Sequence, residues 1–365
     1  MKPPRVTVLM AVHNAENYLR QAIESILSQS FEEFELLIND DGSTDRSAEI
    51  IQSYRDSRIR AVQNPTNQGE ERARNQCLQI ARGEYVAVLD ADDIAHCDRL
   101  RIQTDFLNRN TSMSLVGSPH EIIDETGRVL GIQRVYSDNL SIKWGLLLGN
   151  QFGHSTVMYR RKDALAVGGY DEALSYGTDF DLWVRLTTRG RLANLPDPLS
   201  QYRVHSQNTT NTLRSSAKAD GIFQVVARSI RLITGQIIDL EIAKIVARDF
   251  YRPASSKAAL ELAFDTIRRC LSCFIDAAAP HRRERQAIVE LAVQDLFRIA
   301  NRNPGSLGLA QTKALCSIAR YDPCSLVKKR YLGIVAEKTL PSSVFGVAKR
   351  FLQTRPASRN IAIRS

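Results

Sequence analysis

The 365-residue sequence predicts an α/β domain over residues 1–213, built on a doubly wound, mainly parallel sheet, and a basic α-helical region over residues 214–365. Three observations predict this. Strand-like apolar runs and helical repeats alternate strictly over roughly the first ninety residues, the pattern of parallel strands with helices on both faces. Three of those strands run straight into polar clusters: His13-Asn14, Asp40-Asp41, and Asp90 to Asp93. Past residue 213 strand signals become scarce and the charge changes sign. Residues 1–213 carry 23 Lys+Arg against 28 Asp+Glu, a net of −5, whereas residues 214–365 carry 26 against 12, a net of +14.

Arg5 to Val12 is a short apolar run, and Asn14 stands where it can cap the helix in which Leu19, Ile23, Ile26 and Leu27 share one face. Phe34 to Ile38 is the second strand. It enters Asn39-Asp40-Asp41-Gly42-Ser43-Thr44-Asp45, where Ser43 or Thr44 can cap a helix from Asp45 to Tyr54. Ile59 to Val62 forms a third strand and Gly69 to Ala81 a third helix, closed by Gly83. The four apolar residues Val86-Ala87-Val88-Leu89 then read as a buried strand that breaks into Asp90-Ala91-Asp92-Asp93.

A helix from His96 to Leu107 follows, with short strands at Leu115 to Gly117, Glu121 to Ile123 and Val129 to Val135, the last after the turn Asp124-Glu125-Thr126-Gly127. Asn139 to Leu148 is helical, and Ser155 to Tyr159 is a strand. Gly168-Gly169-Tyr170-Asp171 is a loop leading to a helix opened by Thr178-Asp179-Phe180-Asp181-Leu182-Trp183, with carboxylates at its favourable end. Leu192 to Leu195 and Ser200 to Val204 are the last strands. Beyond residue 213 the helix-like segments are Ile222 to Leu232, Ile237 to Phe250, Lys257 to Phe274, Arg283 to Ile299 and Leu307 to Arg320, before a basic tail after Thr354.

With 43% hydrophobic and 24% charged residues the chain has an ordinary globular composition. Its 6 cysteines are irregularly spaced and make no disulfide framework; Cys270-x-x-Cys273 lacks the second pair that zinc requires. Met1-Lys2-Pro3-Pro4 leads directly into a strand, which is no signal peptide, and no window reaches the ~18 apolar residues of a spanning helix. The expectation is a cytoplasmic protein, with any membrane contact peripheral and at the inner face of the cytoplasmic membrane. The pI near 9.3 suggests nucleic acid first, but no binding motif accompanies it. Anionic lipid suits the clusters Arg282-Arg283-Arg285, Lys328-Lys329-Arg330 and Lys349-Arg350 better, with a solvated helical surface as the alternative.

In parallel α/β sheets ligands bind at the carboxyl ends of the strands, where all three polar clusters fall. Crowding Asp90, Asp92 and Asp93 there is unfavourable unless a cation joins them. Mg²⁺ or Mn²⁺ fits, and such ions complete their shell with phosphate oxygens, so a diphosphate ligand is expected nearby. An acidic turn capping the next helix is the alternative reading of the same residues.

Taken together, Val6 to Asn14, Asp40-Asp41-Gly42-Ser43-Thr44-Asp45, Asp90-Ala91-Asp92-Asp93, Gly168-Gly169-Tyr170-Asp171 and Asp179-Phe180-Asp181-Leu182-Trp183-Val184-Arg185-Leu186 resemble the family 2 glycosyltransferases with the GT-A fold. The resemblance covers roughly residues 5–206. It implies an inverting, metal-dependent enzyme moving a sugar from a nucleotide-diphosphate donor to a hydroxyl of a saccharide or lipid-linked acceptor, in polysaccharide or envelope glycan synthesis. It implies a donor site formed by Ala11, His13, Asn14, Asp40, Asp41, Arg74, Asp90, Ala91 and Asp92. Asp41 is favoured for the base, because uracil N3–H seeks an acceptor; thymine and guanine also present an N–H, so a UDP-sugar is the expected donor with thymidine and guanosine nucleotides as alternatives. Asp92, Asp93 and His205 would hold Mn²⁺ or Mg²⁺, with His205 alternatively a diphosphate hydrogen-bond donor. Asp179 would be the general base.

The chain departs from the family where it has Ala11 and His13 for the frequent Pro and Tyr, and Thr178 for the usual Glu. Those departures keep open a second class of function, a catalytically degenerate sugar-nucleotide-binding scaffold. A nucleotidyltransferase would show a Gly-rich basic loop after the first strand, and Ala11 to Ala15 has neither glycine nor lysine. Trp183 reads as core packing rather than sugar stacking, and His154 as a structural histidine, with a place near the acceptor as the alternative.

Overall fold

The computed structural model describes residues 3–208, 220–248 and 252–303. The expected helix at Leu307 to Arg320, the tail, and the clusters at Lys328 and Lys349 lie outside these residues, as does the expected domain boundary at 213/214. The chain forms two compact units, Met1–Tyr251 and Arg252–Ser365.

The first unit opens with the expected alternation: β1 (Val6–Val12), α1 (Leu19–Leu27), β2 (Phe34–Asp41), α2 (Ser47–Ser53), β3 (Ile59–Asn64), α3 (Glu70–Ile80) and β4 (Tyr85–Val88). It continues through β5 (Ile94–Ala95), α4 (Arg99–Arg109), β6 (Met113–Gly117), β7 (His120–Ile123), β8 (Val129–Gln133) and α5 (Asn139–Leu146). Then come β9 (Met158–Arg160), α6 (Arg161–Ala166), α7 (Thr178–Leu186), β10 (Arg191–Asn194) and β11 (Ser200–Arg203). Two helices past residue 213 also belong here, α8 (Asp220–Thr234) and α9 (Leu240–Val246), with α8 packed on α5 and α7.

The main sheet has seven strands in the order β10-β6-β9-β4-β1-β2-β3. All run parallel except β9, which is antiparallel to both β4 and β6. The chain winds outward from β1 through β2 to β3, then returns to place β4 on the other side of β1. That reversal opens a crevice at the carboxyl ends of β1 and β4. Along β1 the side chains alternate: Val6, Val8, Met10 and Val12 join one core cluster with Leu19, Ala22, Ile23 and Ile26 of α1, Ile50 and Ile51 of α2, and Leu100 and Leu107 of α4. On the other face α3 lies over β1 and β2 and packs against α6, which in turn packs on α7.

A second sheet, β5-β11-β7-β8, was legible only as short strand pieces in the sequence. It matters because β11 pairs antiparallel with β5, the two residues that leave the Asp90 to Asp93 loop. The expected strand at Ser155 to Tyr159 is divided: His154–Thr156 is a single 3₁₀ turn, and β9 starts at Met158.

The second unit contains α10 (Lys257–Ala278) and α11 (Arg282–Asn301), joined by a three-residue turn and packed along their apolar faces. Phe264, Ile267, Leu271 and Phe274 of α10 and Ile288, Val289, Leu296 and Ile299 of α11 are buried. Cys270 and Cys273 lie on α10, and neither forms a disulfide.

One pH effect is built into the small sheet. His120 opens β7 with its ring edge-on to Tyr202, and burial pushes it down from 6.5 to about 4. The unfolded chain therefore binds more protons between those values, so the stability linked to His120 is present above about pH 6.5 and lost as pH falls toward about 4. The loss is expected to be about 1–3 kcal/mol. Urea unfolding of His120→Asn against the wild type across pH 4–7 checks it; parallel pH slopes for the two proteins would exclude His120 as the cause.

Candidate active site

The ends of β1 and β2 are strapped together. Asn14 adopts a left-handed backbone conformation with φ 53°. Its N–H donates to Ser43 Oγ at 3.0 Å, and its Oδ1 accepts from the Thr44 N–H at 2.8 Å. Asn14, Ser43 and Thr44 are thus spent on each other rather than capping α1 and α2; Asp45 Oδ1 accepts from the Ser47 N–H at 2.9 Å instead. His13 Nδ1 lies 3.0 Å from the Asp41 carbonyl oxygen. Between the straps, Gly42 has φ +68°, and a Cβ there would lie 2.5 Å from the Thr66 carbonyl carbon. Only glycine allows that approach of the two backbones.

Asp40 and Asp41 are both buried but differ in what they touch. Asp41 is saturated: its carboxylate accepts from Asn64 Nδ2 at 2.7 Å, from the Gln68 N–H at 3.0 Å and from the Gly69 N–H at 2.9 Å. It shapes the loop that enters α3. Asp40 accepts from the Ser43 N–H at 3.0 Å through Oδ1, while its Oδ2 has no partner among the described residues. A buried acceptor left unpaired is costly unless something else fills it.

The acidic loop after β4 is held by residues far away in sequence. The Asp90 N–H donates to Ser155 Oγ at 3.0 Å. The Asp90 carboxylate accepts from His154 Nδ1 at 2.8 Å and Arg74 Nη2 at 3.2 Å, and Arg74 is also paired with Glu70. Burial alone would raise the Asp90 carboxyl, but the His154 ring and the Arg74 guanidinium hold it well below the usual range.

Asp92 and Asp93 go the other way. Burial and the Asp90 charge raise Asp92; burial with the charges of Asp92 and Asp90 raises Asp93 further. Asp92 Oδ2 lies 2.9 Å from His205 Nε2, and the His205 ring packs on Tyr18. Asp93 is 1% exposed and turns inward, where its Oδ1 accepts from the Arg203 N–H at 2.9 Å. Arg203 also donates from Nε to the Asp92 carbonyl at 3.0 Å. Of the three expected metal ligands, Asp92 and His205 are brought together, while Asp93 braces the loop from beneath.

Seven of the nine residues of α7 are buried; Asp179 and Arg185 are the two that are not. Gly177 caps the helix in a left-handed conformation. Asp179 Oδ2 accepts from Asn150 Nδ2 at 2.7 Å. Asp181, two residues on, is fully buried and ion-paired with Arg185 and with Arg228 of α8, so it has a structural partner set and Asp179 does not. Trp183 is fully buried against Phe152, Tyr159 and His154, which confirms core packing. The Thr178 hydroxyl donates to Glu71 Oε1 at 3.2 Å, so a carboxylate from α3 stands beside the position where the family has Glu.

Comparison with known proteins fits this geometry. The model of glycosyl transferase family 2 matches residues 7–165. EpsE of Bacillus subtilis (strain 168), a protein named as a glycosyltransferase, is 35% identical over 213 residues, covering 56% of this chain and 74% of EpsE. The chain belongs to glycosyl transferase family 2. An uncharacterized glycosyltransferase of Methanocaldococcus jannaschii, MJ1057, is 36% identical over 190 residues, 51% of this chain and 65% of that protein. Among solved structures, S. aureus TarS 1-349 in complex with UDP-GlcNAc matches with a TM-score of 0.55 at 18% identity, covering 87% of this chain and 90% of that one. The shared fold is that of GT-A glycosyltransferases.

In this family 2 glycosyltransferase the structure gathers most of the residues singled out from the sequence on one rim. Ala11, His13 and Asn14 end β1, and Asp40 and Asp41 end β2. Ala91, Asp92 and His205 stand at the junction of the two sheets, and Arg74 reaches Asp90 from α3. Sequence reasoning passed over Ser155, Asn150, Arg203 and Asn208 as site residues. Arg203 lies within the expected strand Ser200 to Val204, whereas Ser155, Asn150 and Asn208 reach Asp90, Asp179 and Asp92 across 65, 29 and 116 residues, a separation that leaves no local signal.

Proposed function

We propose that this glycosyltransferase transfers a sugar from a nucleotide-diphosphate donor to a hydroxyl of a saccharide or lipid-linked acceptor, inverting the anomeric carbon in a single displacement. The observation that carries the reading is the pairing of Asp92 with His205 at 2.9 Å on the rim that also bears Asp40 and Asp90. Asp40, with its open Oδ2, is the better acceptor for a base N–H, and Asp41 shapes the loop beside it. Asp90 is set for the ribose. Asp179, partly exposed at the start of a buried helix, is the general base for the acceptor hydroxyl.

A divalent cation fits the donor set. Asp92 and His205 offer one oxygen and one imidazole nitrogen, and the raised carboxyls of Asp92 and Asp93 mark a cluster short of positive charge. A bound Mn²⁺ or Mg²⁺ would supply charge neutralisation to the leaving diphosphate; the imidazole favours Mn²⁺.

Thermal shift against UDP-, GDP- and dTDP-sugars with and without Mn²⁺ tests the donor and the metal together, since ligand binding stabilises the folded state by mass action. One nucleotide class should raise Tm by several degrees with Mn²⁺ and by less without it. Equal shifts in both conditions would remove the cation.

Among the described residues no helix is long and apolar enough to cross a membrane. Arg282, Arg283 and Arg285 are exposed in the first turn of α11, where positive charge opposes the helix dipole. Such placement supports a role toward an anionic lipid surface rather than toward helix stability. Co-sedimentation with vesicles rich in phosphatidylglycerol should fall when all three are changed to glutamine; no change would leave them as a solvated surface.

A further inference from the structure

His154 is the side chain that joins the two halves of the site. It sits on the 3₁₀ turn His154–Thr156, between the end of β4 and the loop that leads to α7. Nδ1 faces Asp90 Oδ1 at 2.8 Å, and Nε2 faces the Tyr170 hydroxyl at 3.1 Å. A carboxylate only accepts, so Nδ1 carries a proton and donates it to Asp90. The ring has little freedom to do otherwise. Trp183 lies against it with centroids 6.2 Å apart, Tyr170 meets it edge-on at 5.9 Å, and its side chain is 10% exposed. Arg74 completes the cage, bonding Asp90 and lying over the Tyr170 ring at 5.6 Å.

Tyr170 in turn belongs to the catalytic side. Its carbonyl accepts from Asn75 Nδ2 at 2.9 Å and its N–H donates to Asn75 Oδ1 at 2.8 Å, which fixes the loop ahead of α7. Burial pushes its hydroxyl far up, and the Asp179 carboxylate is close enough to add to the rise. The bonded path therefore runs from Asp90 through His154 to Tyr170, within electrostatic reach of Asp179. A buried imidazole needs both nitrogens satisfied, and here the two partners that do so, Asp90 and Tyr170, belong to opposite sides of the site.

We propose that His154 is a positioning residue: through Nδ1 it fixes the rotamer of Asp90 for the donor, and through Nε2 and Tyr170 it sets the loop that orients the helix bearing Asp179. This rests on the donor reading given above, and the two fail differently. Asparagine places an amide near Nδ1 and can keep the Asp90 bond; glutamine reaches toward Nε2 and can keep the Tyr170 bond.

The test uses the full chain and whichever of UDP, GDP and dTDP gives the largest thermal shift with Mn²⁺. Nucleotide Kd is measured by calorimetry and kcat by hydrolysis of the matching sugar nucleotide. His154→Gln should weaken nucleotide binding by about tenfold or more, the size expected for losing a bond to a charged group. His154→Asn should keep Kd within about threefold but lower kcat by about tenfold, and Tyr170→Phe should reproduce that result. A purely structural histidine would lower Tm in both variants without separating Kd from kcat, and that result would overturn the proposal. So would wild-type Kd and kcat in both His154 variants while Asp90→Asn loses binding, and there the donor reading survives. Wild-type protein that binds none of the three nucleotides overturns the donor reading and this proposal with it.

Discussion

Asp179→Asn will lower kcat for sugar transfer by about 10²–10⁴-fold, the range general-base catalysis contributes, and leave nucleotide binding within about threefold. The amide has the carboxylate's shape and can still bond Asn150, which now donates from Nδ2 at 2.7 Å, but it cannot take a proton from the acceptor hydroxyl. Asp179 is suited to the role because the rest of its helix turn is committed elsewhere. Thr178 bonds Glu71, Phe180 is in the core, and Asp181 is locked between two arginines. Hydrolysis of the donor and transfer to acceptor, measured with and without the substitution, decide the matter. Turnover retained at wild-type rate would remove Asp179 as base.

Asp181→Ala will cost about 2–4 kcal/mol of stability, measured by urea unfolding at pH 7. Asp181 is fully buried; Arg185 Nε donates to it at 2.7 Å, and Arg228 bridges it to Asp171. Deleting the carboxylate leaves two guanidinium groups with one partner fewer each. The cost stays below that of a fully enclosed pair because Arg228 is 40% exposed and can rehydrate. Arg228→Ala should cost less, about 1 kcal/mol, since Asp181 retains Arg185. A loss under about 1 kcal/mol for Asp181→Ala would mean that packing, not the ion pairs, holds α8 against α7. That packing is close: a Cβ on Gly221 would lie 2.6 Å from the Tyr176 carbonyl oxygen, and one on Gly177 2.8 Å from Ile222 Cδ1. Either way a helix beyond the family match belongs to the catalytic unit.

The alternation that predicted the fold is a local property, and it survived folding almost unchanged from β1 to β4. Strand ends were equally legible, because apolar runs that stop in Asp40-Asp41 or Asp90 end at the carboxyl edge of a parallel sheet, where polar groups meet partners from other segments. Caps were less so. Asn14, Ser43 and Thr44 have the side chains of helix caps, yet the two strand ends they terminate lie side by side, and bonding across that gap replaced capping. Trp183 shares a helix face with Phe180 and Thr187, which predicted the core position it occupies.

By itself, then, the order of residues determined the parallel sheet, the acidic rim and the family, since each depends on side chains within one run of chain. Which aspartate faces what was decided only by folding. Asp41 and Asp93 look no different from Asp40 and Asp92 as letters, but Asp41 is consumed by Asn64, Gln68 and Gly69, whereas Asp93 is turned inward, where its Oδ1 accepts the N–H of Arg203, 110 residues later, and its Oδ2 has no partner among the described residues. A carboxylate's role follows from whether its lone pairs are already taken, and the groups that take them arrive from distant segments.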